Sequence, residues 1–102
     1  MSLSRPWSDL MRMFIDEDTE YLAWVERHPE GFVVNADRKP KAEELVLHRG
    51  SCFSIRNPKK PKGVWTHRDY IKVCSENLAE LERWARDETG GTVRPCGQCH
   101  PV

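Results

Sequence analysis

The chain has 102 residues, no net charge at neutral pH, 31% charged and 38% hydrophobic residues, and four Trp. That length suits one domain over residues 1–102 with a modest apolar core, small enough for a bound metal to matter to its stability. The balance excludes a disordered chain and a protein that coats nucleic acid through bulk charge, and no apolar run reaches the roughly 18 residues of a membrane-spanning helix.

The first residues, Met1 to Trp7, lack the apolar stretch of a signal peptide, so the expected compartment is the cytoplasm and no membrane partner is expected. There, four cysteines are expected to be metal ligands or free thiols rather than disulfides. From Trp7 to Ile15 the apolar residues Leu10, Met11, Met13 and Phe14 recur with a roughly helical period after Pro6, which predicts a short opening helix. The acids Asp16 to Glu20 then precede the apolar stripe Tyr21, Leu22, Trp24 and Val25, which predicts a second helix over residues 17–28. In that position the acids read as partners of the helix dipole. Pro29-Glu30-Gly31 ends the run.

Phe32 to Asn35 reads as a strand, and Glu44 to His48 as a second. Alternation sends Val46 and His48 to one face and Leu45 and Leu47 to the other. Cys52 to Ile55 is expected to extend the sheet briefly, and residues 57–63 form a loop rich in Pro and Lys. A third strand is predicted over Tyr70 to Cys74, with Tyr70, Lys72 and Cys74 on one face and Ile71 and Val73 on the other. Asn77 followed by Glu80 suggests a capping box, and Leu78, Leu81, Trp84 and Ala85 recur at helical spacing until Gly90-Gly91.

Two short motifs carry the chemistry. His48-x3-Cys52 lies at the end of the second strand and Cys96-x2-Cys99 near the end of the chain, together a Cys3His set of the kind that holds structural zinc. Two ligands so closely spaced can be held by one tight turn, so each motif supplies half a coordination sphere. Cys74 and His100 are the available substitutes, and Cys74 reads more simply as a small core residue. The expected fold is therefore α+β, a small antiparallel sheet of about three strands with helices packed on one face and a C-terminal zinc knuckle.

Charge is unevenly spread. From Arg38 to Lys72 there are ten Lys and Arg against three acids, a net of +7, so the remainder carries −7. Arg49, Arg56, Lys59, Lys60, Lys62, Arg68 and Arg94 are the candidate phosphate contacts, with Trp65 as a candidate stacking platform. A solvated basic loop accounts for the same residues without a ligand.

His48-Arg49-x2-Cys52 and Arg94-Pro95-Cys96-x2-Cys99-x-Pro101 resemble the two ligand motifs of the zinc-binding domain of the Ada DNA-repair protein and of related small metal-binding modules. The resemblance covers these two stretches only. It implies that Cys52, Cys96 and Cys99 are zinc ligands and that His48 occupies the position of the methyl-accepting cysteine. An imidazole there can bind zinc but lacks the thiolate that attacks a methyl group.

Three classes of function follow. The first is a non-catalytic zinc module that binds nucleic acid in a repair or restriction system, and the second a protein-interaction domain in which zinc is purely structural. The third is a thiol protein, either a redox pair at Cys96 and Cys99 or an Ada-like alkyl acceptor at Cys52. Cys96-Gly97-Gln98-Cys99-His100 also matches the attachment signature of c-type haem, which leaves His48-x3-Cys52 without a role. Paired carboxylates, a nucleophile triad and a phosphate-binding loop are all missing from the sequence.

Overall fold

The computed structural model describes residues 11–57, 59–61 and 63–101. After strand β1 (Arg12–Phe14) come helix α1 (Asp18–Arg27), β2 (Phe32–Asp37), β3 (Val46–Arg49), β4 (Tyr70–Ser75), α2 (Leu78–Thr89) and β5 (Arg94–Pro95). The sheet has five strands in the order β1-β4-β2-β3-β5. Neighbours pair antiparallel except β3 and β5, which run parallel, so the sheet is mixed.

The three predicted strands form its centre and the two additional ones its edges. The opening helix is not formed at residues 12–14, which pair with β4 instead, while residues 7–10 of that expectation lie outside the described residues. The physical reason is the open edge of β4: its unpaired backbone accepts a strand, and Asp16, at φ 57°, turns the chain before a helix could continue. Cys52 to Ile55 likewise does not extend the sheet, because Phe53–Ile55 closes into a 3-10 turn.

The helices cover opposite faces rather than one. Tyr21, Trp24 and Val25 of α1 pack with Phe14, Val33 and Cys74, whereas Leu81, Trp84 and Ala85 of α2 pack with Val34, Leu47, Ile71 and Val73. Val33 and Val34 are adjacent, as are Val73 and Cys74, so successive side chains of one strand feed two cores. Each fully buried side chain of this kind contributes about 1.5–3 kcal/mol. The face assignments expected for β3 and β4 hold throughout.

Both helices begin at identifiable polar contacts. Asn77 caps α2 by accepting from the Ala79 N–H at 2.9 Å, and Gly90, at φ 75°, ends it with its N–H on the Arg86 carbonyl. Glu80 does not close a capping box with Asn77. Ser75 intervenes: its Oγ accepts from Asn77 N and donates to Glu80 Oε1, both at 2.9 Å. In α1 the acid with the largest structural role is Asp18, whose carboxylate accepts N–H bonds from Gly63 at 2.8 Å and Thr66 at 2.7 Å. It therefore anchors the loop before β4 rather than acting on the helix dipole alone.

Candidate metal centre

β3 delivers the first half of the site. Its pairing places Val33 opposite His48, and the following turn is closed by the Cys52 N–H on the Arg49 carbonyl at 3.0 Å. Gly50 is required there, because a Cβ at this position would lie 2.2 Å from the His28 carbonyl oxygen. β5 delivers the second half. Arg94 N and Cys96 N donate to Leu45 O and Leu47 O, both at 2.8 Å, and Pro95 between them has no N–H to offer. This two-residue strand sets Cys96 beside His48, and a turn over Gly97 to Cys99 then brings the last cysteine back.

The ligand atoms of His48, Cys52, Cys96 and Cys99 lie within 4.8 Å of one another, so the four residues form a cluster that could hold a metal ion. Cys52, Cys96 and His48 are buried, with 4%, 8% and 8% exposure, and Cys99 is partly buried. Nδ1 of His48 is, among the described residues, the one buried side-chain nitrogen or oxygen without a hydrogen-bond partner. A buried polar atom left unpaired costs about 1–3 kcal/mol, and a metal ion would satisfy it.

Hydrogen bonds reach all three sulfurs. Gln98 N donates to Cys96 Sγ and Arg49 N to Cys99 Sγ, each at 3.3 Å, and Ser54 Oγ lies 3.1 Å from Cys52 Sγ. Burial pushes the Cys96 thiol up, but the N–H groups of Cys99 and Gln98 outweigh it and leave Cys96 below the ordinary thiol value. Cys99 is pushed up to about 11 by burial and by the neighbouring Cys52 and Cys96. Three adjacent thiols cannot all ionise without a cation between them, which is the conflict a divalent metal removes. Burial, with Lys72 nearby, lowers His48 to about 4, so its imidazole is neutral and available as a ligand.

Cys74 and His100 are not part of the cluster. Cys74 is fully buried, and its thiol is held neutral by burial.

Among the candidate phosphate contacts, Lys59, Lys60, Arg68 and Arg94 are exposed, Arg49 and Arg56 half-buried, and Lys62 lies outside the described residues. Lys60, His67 and Arg68 line a cleft of about 650 Å³ whose only carboxylate among the described residues is Asp18. Trp65 is not a free stacking platform. It is 7% exposed, packed against Tyr21 with ring centroids 6.2 Å apart, because the Asp18 contacts draw its loop onto α1.

Two residues of the site region went unmarked by motif. Lys72 is buried with 3% exposure, and the signal for it was a lysine on the inward face of a strand between two apolar neighbours. Tyr21 donates its hydroxyl to the Ile55 carbonyl at 2.6 Å and so ties α1 to the turn after Cys52. No protein-family model, curated protein or solved structure matches the chain.

Proposed function

We propose that the protein is a small zinc-binding module, non-catalytic, in which His48, Cys52, Cys96 and Cys99 hold one Zn²⁺. The observation that carries this reading is the convergence of one ligand atom from each of the four residues within 4.8 Å, and the buried, unpartnered Nδ1 of His48 adds to it. Three thiolates and one imidazole match the donor set of closed structural zinc sites, and no position is left for a substrate. The metal test is elemental analysis of purified protein together with Co²⁺ substitution. One ion per chain and the visible spectrum of tetrahedral thiolate-ligated Co²⁺ are expected. Absence of metal together with unperturbed Cys99 reactivity would overturn the reading.

Nucleic acid is the partner this reading favours. Its support is the lining of the 650 Å³ cleft, where Lys60, His67 and Arg68 join Asp18, a carboxylate already occupied by backbone N–H groups. The likeness of the two ligand motifs to the Ada zinc domain points to the same class of partner, and to a place in repair or restriction. His48 at the alkyl-acceptor position argues for binding without methyl transfer. The competing reading is a protein-interaction domain with purely structural zinc, which predicts no salt-dependent affinity for DNA or RNA.

A further inference from the structure

Lys72 sits in the middle of β4, 3% exposed, with Nζ donating to Asn35 Oδ1 at 2.7 Å and to the Trp65 carbonyl at 2.8 Å. The rings of Tyr21, Trp65 and Tyr70 have centroids 5.7, 5.8 and 6.0 Å from that nitrogen. An ammonium carries three N–H donors, and both of its acceptors here are neutral. Buried charges in proteins are normally paired, yet the salt bridges among the described residues do not include Lys72. The groups that raise its pKa are Cys74, itself held neutral by burial, and Asp18, whose carboxylate is taken by Gly63, Trp65 and Thr66. Burial of this unpaired charge lowers Lys72 to about 8.

The same lysine lines a cleft of about 240 Å³, well above the roughly 10–15 Å³ that one water needs. Its polar lining is Asn35, His48, Ser54, Lys60, Tyr70 and Lys72. Each of these can donate a hydrogen bond, and among the described residues no carboxylate lines the cleft. Lys72 is deeply buried, whereas Lys60 and Tyr70 are exposed, so the donors run from the interior to the mouth. A tetrahedral oxyanion offers acceptors to donors arriving from several directions at once, which a planar carboxylate does less well.

We infer that this cleft binds a small oxyanion of the phosphate class, held by Lys72 at its floor and by Lys60 and Tyr70 at its mouth. The site does not depend on the zinc reading, although His48 borders both. The phosphate can be free or can be the terminal phosphate of a nucleic-acid strand, and only the second source rests on the nucleic-acid reading.

The test titrates the metal-replete protein at constant ionic strength with inorganic phosphate, then with 5′-phosphorylated and 5′-hydroxyl oligonucleotides of one sequence. Binding is followed by calorimetry and by NMR of the Lys72 and His48 side chains. Phosphate is expected to shift the Lys72 signals at millimolar concentration. Lys72→Met, which keeps the side-chain length inside the aromatic cage, is expected to weaken binding about 10-fold or more while retaining the metal. Lys60→Ala should weaken it by a smaller factor. A preference for the 5′-phosphorylated strand assigns the anion to a strand end, and binding of inorganic phosphate without that preference assigns it to the free ion. Unchanged Lys72 signals in the wild type overturn the inference, as does equal phosphate affinity in wild type and both variants. Loss of metal from Lys72→Met without any phosphate binding by the wild type also overturns it, and makes Lys72 a counter-charge to the thiolates. If Lys72→Met does not fold, the wild-type NMR titration and Lys60→Ala decide.

Discussion

The backbone N–H of Arg49 donates to Sγ of Cys99 at 3.3 Å, joining residues 50 positions apart in the chain. The bond links the two ligand motifs directly, because Arg49 follows His48 on β3 and Cys99 closes the terminal turn. An N–H aimed at a sulfur stabilises the thiolate more than the thiol, so it offsets part of the push that burial, Cys52 and Cys96 exert on the Cys99 thiol.

Removing a ligand therefore removes more than one bond to a metal. Cys96→Ser is expected to abolish stoichiometric metal binding and to lower the thermal midpoint by more than about 10 °C, since about 1 kcal/mol corresponds to 4–8 °C in a domain of this size. Chelation of the wild type should reproduce most of the same loss, and Cys74→Ala should retain the metal. Elemental analysis and thermal unfolding of the three samples check this.

The Tyr21 hydroxyl bond to the Ile55 carbonyl couples α1 to the turn that carries Cys52. Tyr21→Phe leaves that carbonyl buried without its donor and is expected to cost about 1–3 kcal/mol. Urea unfolding measures the loss, and a competitive chelator titration should show weaker metal retention if the turn loosens.

Gly50 packs against the backbone of His28 too closely for any side chain. Gly50→Ala forces the β3 turn away from α1, at an expected cost of about 1–3 kcal/mol. The same substitution at Gly97, where a Cβ meets nothing within 4 Å, should be tolerated. Denaturant midpoints of the two variants make the comparison.

Acid sensitivity should centre on Asp18. Burial raises its pKa, but the Thr66 hydroxyl and the N–H groups of Thr66, Trp65 and Gly63 outweigh burial and leave it below the ordinary carboxylate value. Because the folded value is the lower one, its contribution is complete above the unfolded pKa and is lost as pH falls through the folded pKa. Asp18→Asn should cost about 1–3 kcal/mol at neutral pH and flatten the acid limb of stability against pH. A series of urea titrations from neutral to acid pH measures both.

Nucleic-acid binding through the basic residues must depend on salt. Replacing Lys59 and Lys60 together by Ala is expected to flatten the log–log salt dependence by about 1.4 for single strands and about 1.8 for duplex. Fluorescence anisotropy at several salt concentrations gives the slopes.

The cluster that could hold a metal was legible in the chain because coordination demands particular residue types at close spacing, and His48-x3-Cys52 with Cys96-x2-Cys99 offers four soft or borderline donors. The central strands and both described helices were legible for a similar reason. Their apolar residues alternate or recur with one period, so alternation alone separated Val46 and His48 from Leu45 and Leu47.

Edges and burial were not legible. Arg12–Phe14 carries an apolar pattern that suits a helix as well as a strand, and the unpaired backbone of β4 decided between them. Arg94–Pro95 is too short to have a period, and it became a strand only because β3 offered the carbonyls of Leu45 and Leu47. Trp65, a candidate stacking platform, entered the core instead, and Lys72, which carried no motif, is buried beside it. That outcome depends on Asp18, nearly 50 residues away from the loop it anchors, and long-range contacts of this kind leave no local signature. Residue chemistry in the sequence determined what could bind a metal, whereas the tertiary structure decided which backbone groups surround the sulfurs and which charge is left buried and unpaired.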